Sequence, residues 1–383
     1  MNHKIRVLHV LQSMVHGGIE TFLMSMFRNY DADQFSMEVV YTGSQQGDYA
    51  EELEKLGIRL SPCRMKYEQV RFVFSLYRFM KKNAFHCVHS HFEDFGGPVM
   101  LAAWMAGIPV RVTGYHSKKL DMGPLKNLYT WFMRRWVLLF STCITTSSDE
   151  VTNSFFNDRQ RANKDIRPIA YGVDVSYFAE KSAGCLDFAK YNINRESHLI
   201  VGNVGSFRPQ KNHHGLLQVV QRTIQFVPNT VFLFRGAFCD GNMVRGYTRE
   251  DIEAYARHLN IEAHVRLIDP LNDMRKYYNS LDVFILPSKH EGMPISIIEA
   301  QAVSCPVVAS NIEGIVNATA PEMRDNLFHY DDIDGISKCL IELLGDKQKR
   351  VEQGRAGYEF VRNNLDIKTV TRKFQAIYAG IEP

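Results

Sequence analysis

The sequence predicts an α/β protein built on parallel sheets, and three observations lead there. Short runs rich in Val, Ile and Phe alternate with amphipathic stretches of helical period through both halves of the chain. Polar or glycine-containing loops follow the apolar runs, where strands of an open α/β sheet hand over to helices. The chain has 383 residues, 45% hydrophobic and 23% charged, enough for two domains, and it contains no low-complexity tract.

The first apolar run, residues 5–11, reads as a buried strand, and His16-Gly17-Gly18-Ile19-Glu20 as its loop, with a helix over 21–30. Adjacent glycines let backbone approach a ligand where a side chain would collide. Strands are then expected at 37–41, 87–89, 110–113 and 143–146, and helices at 49–56, 70–83, 96–106 and 125–139. His89 and His91 could suggest a metal pair. With no third ligand at a usual spacing nearby, they are read as strand-end polar residues. Small, weakly periodic residues at 180–196 predict a linker.

In the second half, the strand at 199–204 leads into Gly205-Ser206-Phe207-Arg208-Pro209-Gln210-Lys211-Asn212, and a helix is expected at 214–226. Strands at 231–236 and 265–268 and helices at 248–259 and 272–280 follow. The strand at 282–286 opens a βαβ unit: loop 288–293, Pro294 at the first helical position, a helix over 295–303 and a strand at 307–309. Amphipathic helices at 335–345, 347–364 and 367–381 close the chain.

Within that βαβ unit, Glu291 precedes the helix and Glu299 lies inside it. The amides of Gly292, Met293 and Ile295 flank Pro294 at a helix N-terminus, where unsatisfied N–H groups and the positive dipole end favour an anion. Carboxylates for hydroxyls beside amides for phosphate suit a nucleotide diphosphate sugar. The run from Glu291 to Glu299 with the following AQAVSCPVVAS resembles the E-x7-E signature of retaining glycosyltransferases of the GT-B fold, family 4 type, as found among bacterial exopolysaccharide and lipopolysaccharide enzymes. The HGGIE loop is similar to the family's GGxE loop. Residues 166–178 are similar to its NGVD crossing, with Tyr171 where Asn is usual.

The resemblance implies two Rossmann-like domains facing a cleft: residues 1–180 on the acceptor side, completed by a last helix at about 366–383, and residues 195–365 holding the donor. It implies transfer of a hexose or hexosamine from a nucleotide diphosphate sugar, with UDP the expected carrier, to a saccharide acceptor with retention of configuration. Gly17 and Gly18 would lie near the diphosphate and acceptor, and Lys211 and the amides of Gly292 to Ile295 would neutralise the leaving diphosphate. Glu291 would hold the sugar, Glu299 the ribose and His116 the sugar from the other domain, and residues 269–271 would face the base. Ser206 stands where the family has Arg, and Arg208 is the nearby substitute. No cofactor and no metal is expected, and the Asp31-Ala32-Asp33 and Asp332-Ile333-Asp334 triplets are read as solvated turns. Lys211 and Glu291 are expected in solvent, so that replacing either leaves the fold intact.

Charge and cysteine usage bound the setting. A net charge of +3 is too mild to imply nucleic acid. Residues 55–140, however, hold 14 Lys and Arg against 4 Asp and Glu. There Lys118, Lys119, Lys126, Arg134 and Arg135 interleave with aromatic residues, which predicts a face that rests on an anionic membrane surface and a lipid-linked acceptor. Seven cysteines without a CxxC pair argue for free thiols in a reducing, cytoplasmic setting, with the protein peripheral to the inner membrane face. Two rivals share the architecture: a nucleotide-sugar epimerase, and a binding subunit made inactive by Ser206. A dehydrogenase is disfavoured because neither glycine loop matches GxGxxG.

Overall fold

The computed structural model describes residues 4–15, 17–63, 69–119, 123–180, 184–239, 246–271 and 273–381. The chain forms two compact units, Met1–Gly172 with Ile367–Pro383, and Val173–Asp366.

The first unit holds a seven-stranded parallel sheet of β1 (Ile5–Leu11), β2 (Phe35–Tyr41), β3 (Arg59–Pro62), β4 (Cys87–Ser90), β5 (Val110–Tyr115), β6 (Cys143–Thr146) and β7 (Ile166–Pro168). Their order is β3-β2-β1-β4-β5-β6-β7. Its central strands are almost fully buried, as their unbroken apolar runs require when helices cover both faces. Helix α1 (Gly18–Arg28) packs Phe22, Leu23, Met26 and Phe27 inward. The helix expected at 96–106 is α2 (Gly97–Met105), preceded by a 3-10 turn, Glu93–Gly96. A Cβ on Gly97 would lie 2.7 Å from the Met133 carbonyl, so this glycine lets α2 meet α3 (Pro124–Phe140) closely.

The second unit holds a six-stranded parallel sheet of β8 (Leu199–Val204), β9 (Thr230–Arg235), β10 (Val265–Ile268), β11 (Val283–Leu286), β12 (Val307–Ser310) and β13 (Leu327–Phe328), in the order β10-β9-β8-β11-β12-β13. Val201, Phe232, Phe234 and Ile285 of the sheet form one core with Leu216, Leu217 and Val220 of α4 (His213–Phe226). Helix α5 (Ile295–Ala302) begins one residue later than expected, because Pro294 sits at its cap with extended ψ. The last helix, α6 (Ile367–Tyr378), belongs to the first unit, where Phe374 meets Phe22 at 5.8 Å between ring centres.

The expected linker at 180–196 is corrected by the packing of its described residues. The chain leaves the first unit at Gly172, and Leu186 and Ile193 are buried in the second. The Leu186 amide donates to Ser280 Oγ at 2.9 Å, and Arg195 holds both oxygens of Asp282 at 2.7 and 2.9 Å.

Both sheets change winding direction once, between β1 and β4 and between β8 and β11. Open parallel sheets bind ligands outside the carboxyl ends of such strand pairs. The loops after β8 and β11 contain Lys211 and Glu291, those after β1 and β4 contain Gly17 and His91, and Gly18 opens α1.

Candidate active site

In the second unit the structure brings the two switch-point loops together. Lys211 Nζ is ion-paired with Glu291 Oε1. A Cβ on Gly205 would lie 3.1 to 3.3 Å from the Lys211 stem, so this glycine leaves the lysine room to lie flat across the loop. One backbone and one side-chain hydrogen bond hold the loops in register, Lys289 N to the Gln210 carbonyl at 2.8 Å and Gln210 Nε2 to the His290 carbonyl at 2.7 Å. On the far side, a Cβ on Gly314 would overlap the Gly292 carbonyl, so Gly314 permits that loop to pack down. The pair is largely buried, with the Lys211 and Glu291 side chains 17% and 9% exposed. That corrects the expectation of two solvated side chains.

Glu299 sits apart, buried on α5, and accepts a hydrogen bond from Tyr278 Oη at 2.6 Å. Burial pushes its carboxyl up to about 7, against the opposing effect of that hydrogen bond. Met293, Pro294 and Ile295 are buried beside half-buried Gly292 at the N-terminus of α5. Arg208 is exposed at the cap of the 3-10 turn Pro209–Lys211, and its amide donates to the Ser206 carbonyl at 2.7 Å. Sequence reasoning missed Arg235, the register partner of Val204. Its Nε is buried with no hydrogen-bond partner among the described residues, and burial lowers its pKa. A cation at the end of β9 was hidden because it closes an otherwise apolar strand.

In the first unit, Gly17 caps α1 in extended conformation and Gly18 faces open space. A Cβ on Gly17 would come within 2.4 Å of Glu20 Oε2, so the carboxylate folds back over the helix start, and burial raises its pKa to about 7. His16 lies outside the described residues. His116 is held at both ring nitrogens, Nδ1 at 2.6 Å from Tyr171 Oη and Nε2 at 3.2 Å from His91 Nδ1, and burial lowers its pKa to about 3. Tyr171 thus fills the family's Asn position and orients His116.

The basic face needs correction. Arg134 is buried, gripping both oxygens of Asp94 at 2.8 and 2.6 Å, with Tyr115 Oη on the same carboxylate at 2.9 Å. Lys118 pairs with Glu150 at 2.8 Å. Lys119, Lys126 and Arg135 are exposed. Of the basic stretch's other members, Arg64, Lys66 and Tyr67 lie outside the described residues. On α3 an apolar stripe of Leu125, Leu128, Phe132 and Leu139 is exposed, as helical spacing on one outward face requires. A depression of about 430 Å³ in this unit is lined by Gln12, Thr42, Gly43, Ser44, Phe92 and Phe95, and the Phe95 ring meets Tyr129 of α3 at 5.9 Å.

The Asp triplets are engaged locally. Asp31 accepts the amides of Asp33 and Gln34, Asp332 caps the helix Ile333–Gly345, and Asp334 pairs with Arg222.

Residues 17–172 match the model of the glycosyl transferase 4-like domain, and residues 187–360 that of the glycosyl transferases group 1. EpsF of Bacillus subtilis is 28% identical over 80% of this chain and 79% of its own length. The Escherichia coli UDP-Gal:alpha-D-GlcNAc-diphosphoundecaprenol alpha-1,3-galactosyltransferase is 26% identical over 98% of this chain and 97% of its own. Among solved structures, Anabaena Alr3699/HepE in complex with UDP and glucose superposes with a TM-score of 0.83 at 16% identity, covering 98% of this chain and all of that one. Two domain models and a shared two-sheet architecture together make this chain a member of the group 1, family 4-like glycosyltransferases of the GT-B fold.

Proposed function

We propose that the protein transfers a hexose or hexosamine from a UDP-sugar to a lipid-linked saccharide in cell-surface polysaccharide synthesis, with retention of configuration and without a divalent metal at the diphosphate. The observation behind this reading is the Lys211–Glu291 pair at the β8/β11 switch point, a fixed cation beside a carboxylate. UDP as carrier is supported by the UDP complex of the structural neighbour and by the UDP-Gal in the E. coli relative's name.

Lys211 and the amides around Met293 stabilise charge building on the leaving diphosphate, a preorganised arrangement of the kind that dominates transition-state stabilisation. Arg235, desolvated beside the Gly205 loop, supplies the charge that Ser206 lacks, with Arg208 as the exposed alternative. Glu291 holds sugar hydroxyls, Glu299 the ribose and His116 the transferred sugar. No side chain acts as nucleophile: the leaving phosphate takes the acceptor proton during front-side attack. The acceptor saccharide occupies the depression at Gln12 and Phe95, and its lipid lies along the apolar stripe of α3.

UDP release and product anomer are measured with a panel of UDP-sugars, with and without saccharide acceptors. Lys211→Ala and Glu291→Ala each abolish transfer and also cost about 3–5 kcal/mol of stability, because the partner is left buried and unpaired. Near wild-type turnover in either variant removes the site. Acceptor-independent epimer formation converts the reading to an epimerase, and activity lost in EDTA and restored by Mg2+ or Mn2+ overturns the metal-free mechanism.

A further inference from the structure

His9 on β1 and His89 on β4 are register partners on adjacent central strands. Side chains at facing positions of parallel strands point to the same side of a sheet, and a residue two further on points there again. His91 is that residue. Ring centres lie 5.5 Å apart for His9 and His89, 5.4 Å for His9 and His91, and 4.1 Å for His89 and His91. One nitrogen from each ring comes within 4.8 Å of the other two, and His9 Nδ1 lies 3.1 Å from His91 Nε2. A tetrahedral ion with metal–nitrogen bonds of ~2.0–2.1 Å spaces its ligands roughly 3.3 Å apart. One pair already has that spacing, and shifts of roughly 0.8 Å at each ring close the widest gap.

Two of the three outer nitrogens are held as ligating histidines require, while His9 Nε2 is buried with no hydrogen-bond partner among the described residues. His89 Nδ1 lies 2.8 Å from Tyr378 Oη, and His91 Nδ1 lies 3.2 Å from His116 Nε2. The His9 ring stands edge-on to Phe27, 5.0 Å between centres. Protons on these outer nitrogens leave lone pairs facing inward, the tautomer that outer partners impose at metal sites. His89 Nε2 is buried with no hydrogen-bond partner among the described residues, a costly arrangement unless something ligates it.

We propose that His9, His89 and His91 form a binding site for a transition-metal ion of the zinc class. An all-imidazole set without a carboxylate selects against Mg2+, Ca2+ and Mn2+, which prefer oxygen. The ion sits between His9 Nδ1 and His91 Nε2, and enters past His91, the partly exposed member. Through His91 Nδ1 it fixes the ring of His116. The third ligand lies about eighty residues from the other two, which is why the His-x-His spacing had no partner in the sequence.

Tag-free, full-length protein stripped with EDTA is titrated with Zn2+ by calorimetry and with Co2+ by visible absorption. One ion per chain is expected, with the intense d–d bands of low-coordinate Co2+. His91→Gln and His89→Ala abolish uptake, and the exposed His258→Ala leaves it unchanged. Tyr378→Phe keeps all three ligands and weakens Zn2+ ~10–100-fold through the lost outer hydrogen bond. No stoichiometric uptake by the wild type, weak octahedral Co2+ bands, or equal uptake by folded His91→Gln overturns the site and leaves a hydrogen-bonded histidine cluster.

Discussion

At the scale of single residues, Glu299 couples helix α5 to pH. Its carboxyl ionises near 4.3 in an unfolded chain and at about 7 when folded, so the native state holds the proton more tightly between those values. Stability therefore falls as pH climbs through that window and levels off above 7, by about 4 kcal/mol at ~1.4 kcal/mol per unit. Glu299→Gln keeps the shape and cannot ionise. Denaturant midpoints should show the variant gaining on wild type between pH 5 and pH 8, and an equal difference at both pH values would place the carboxylate in a wetter setting. The positions of Lys211 and Glu291 in loops at strand ends, and of Glu299 inside the helix that follows, were legible in the sequence. Arg134 was misread because charge alone says surface, whereas the Asp94 carboxylate that buries it is forty residues away. The ring partners of Tyr171 and His9 were hidden for the same reason, since only the folded sheet brings them near.

At the scale of elements, most strands were readable, the edge strand β10 among them, and β3, β7 and β13 were not. Strands β3, β7 and β13 have four, three and two residues, too short to show a period, and edge strands are kept short to resist pairing with other chains. Helix α3 was placed within a residue, yet which of its faces looks outward needed the packing of Thr130, Met133 and Val137. That packing turns Leu125, Leu128, Trp131 and Phe132 outward with Lys126 and Arg135. Such a helix should sediment with anionic vesicles at low salt. Lys126→Glu with Arg135→Glu should weaken retention by ~1 kcal/mol per charge removed, and Leu128→Asp should weaken it at high salt too, where screening leaves the apolar contribution. Equal retention of all variants, or none by wild type, would detach the lipid from the acceptor.

At the scale of the molecule, the first unit is discontinuous, and α6 closes it with Phe374 packed on Phe22, His89 and Tyr378. Phe374→Ala should cost about 3–5 kcal/mol, as for other buried aromatics. Hydrogen exchange would then quicken at β1 and β4 while β8 and β11 keep their protection, and uniform protection throughout would show α6 to be dispensable. A helix that completes the first unit from the far end of the chain also sets an order of events during synthesis. The seven strands leave the ribosome first, but the side chains that seal His89 and Phe22 arrive only after the whole second unit has been made. At ~5–20 residues per second that wait is on the order of 10–40 s. Through that interval the nascent first unit shows an uncovered apolar groove, a natural landing place for chaperones, and the part of the protein made earliest is the part finished last.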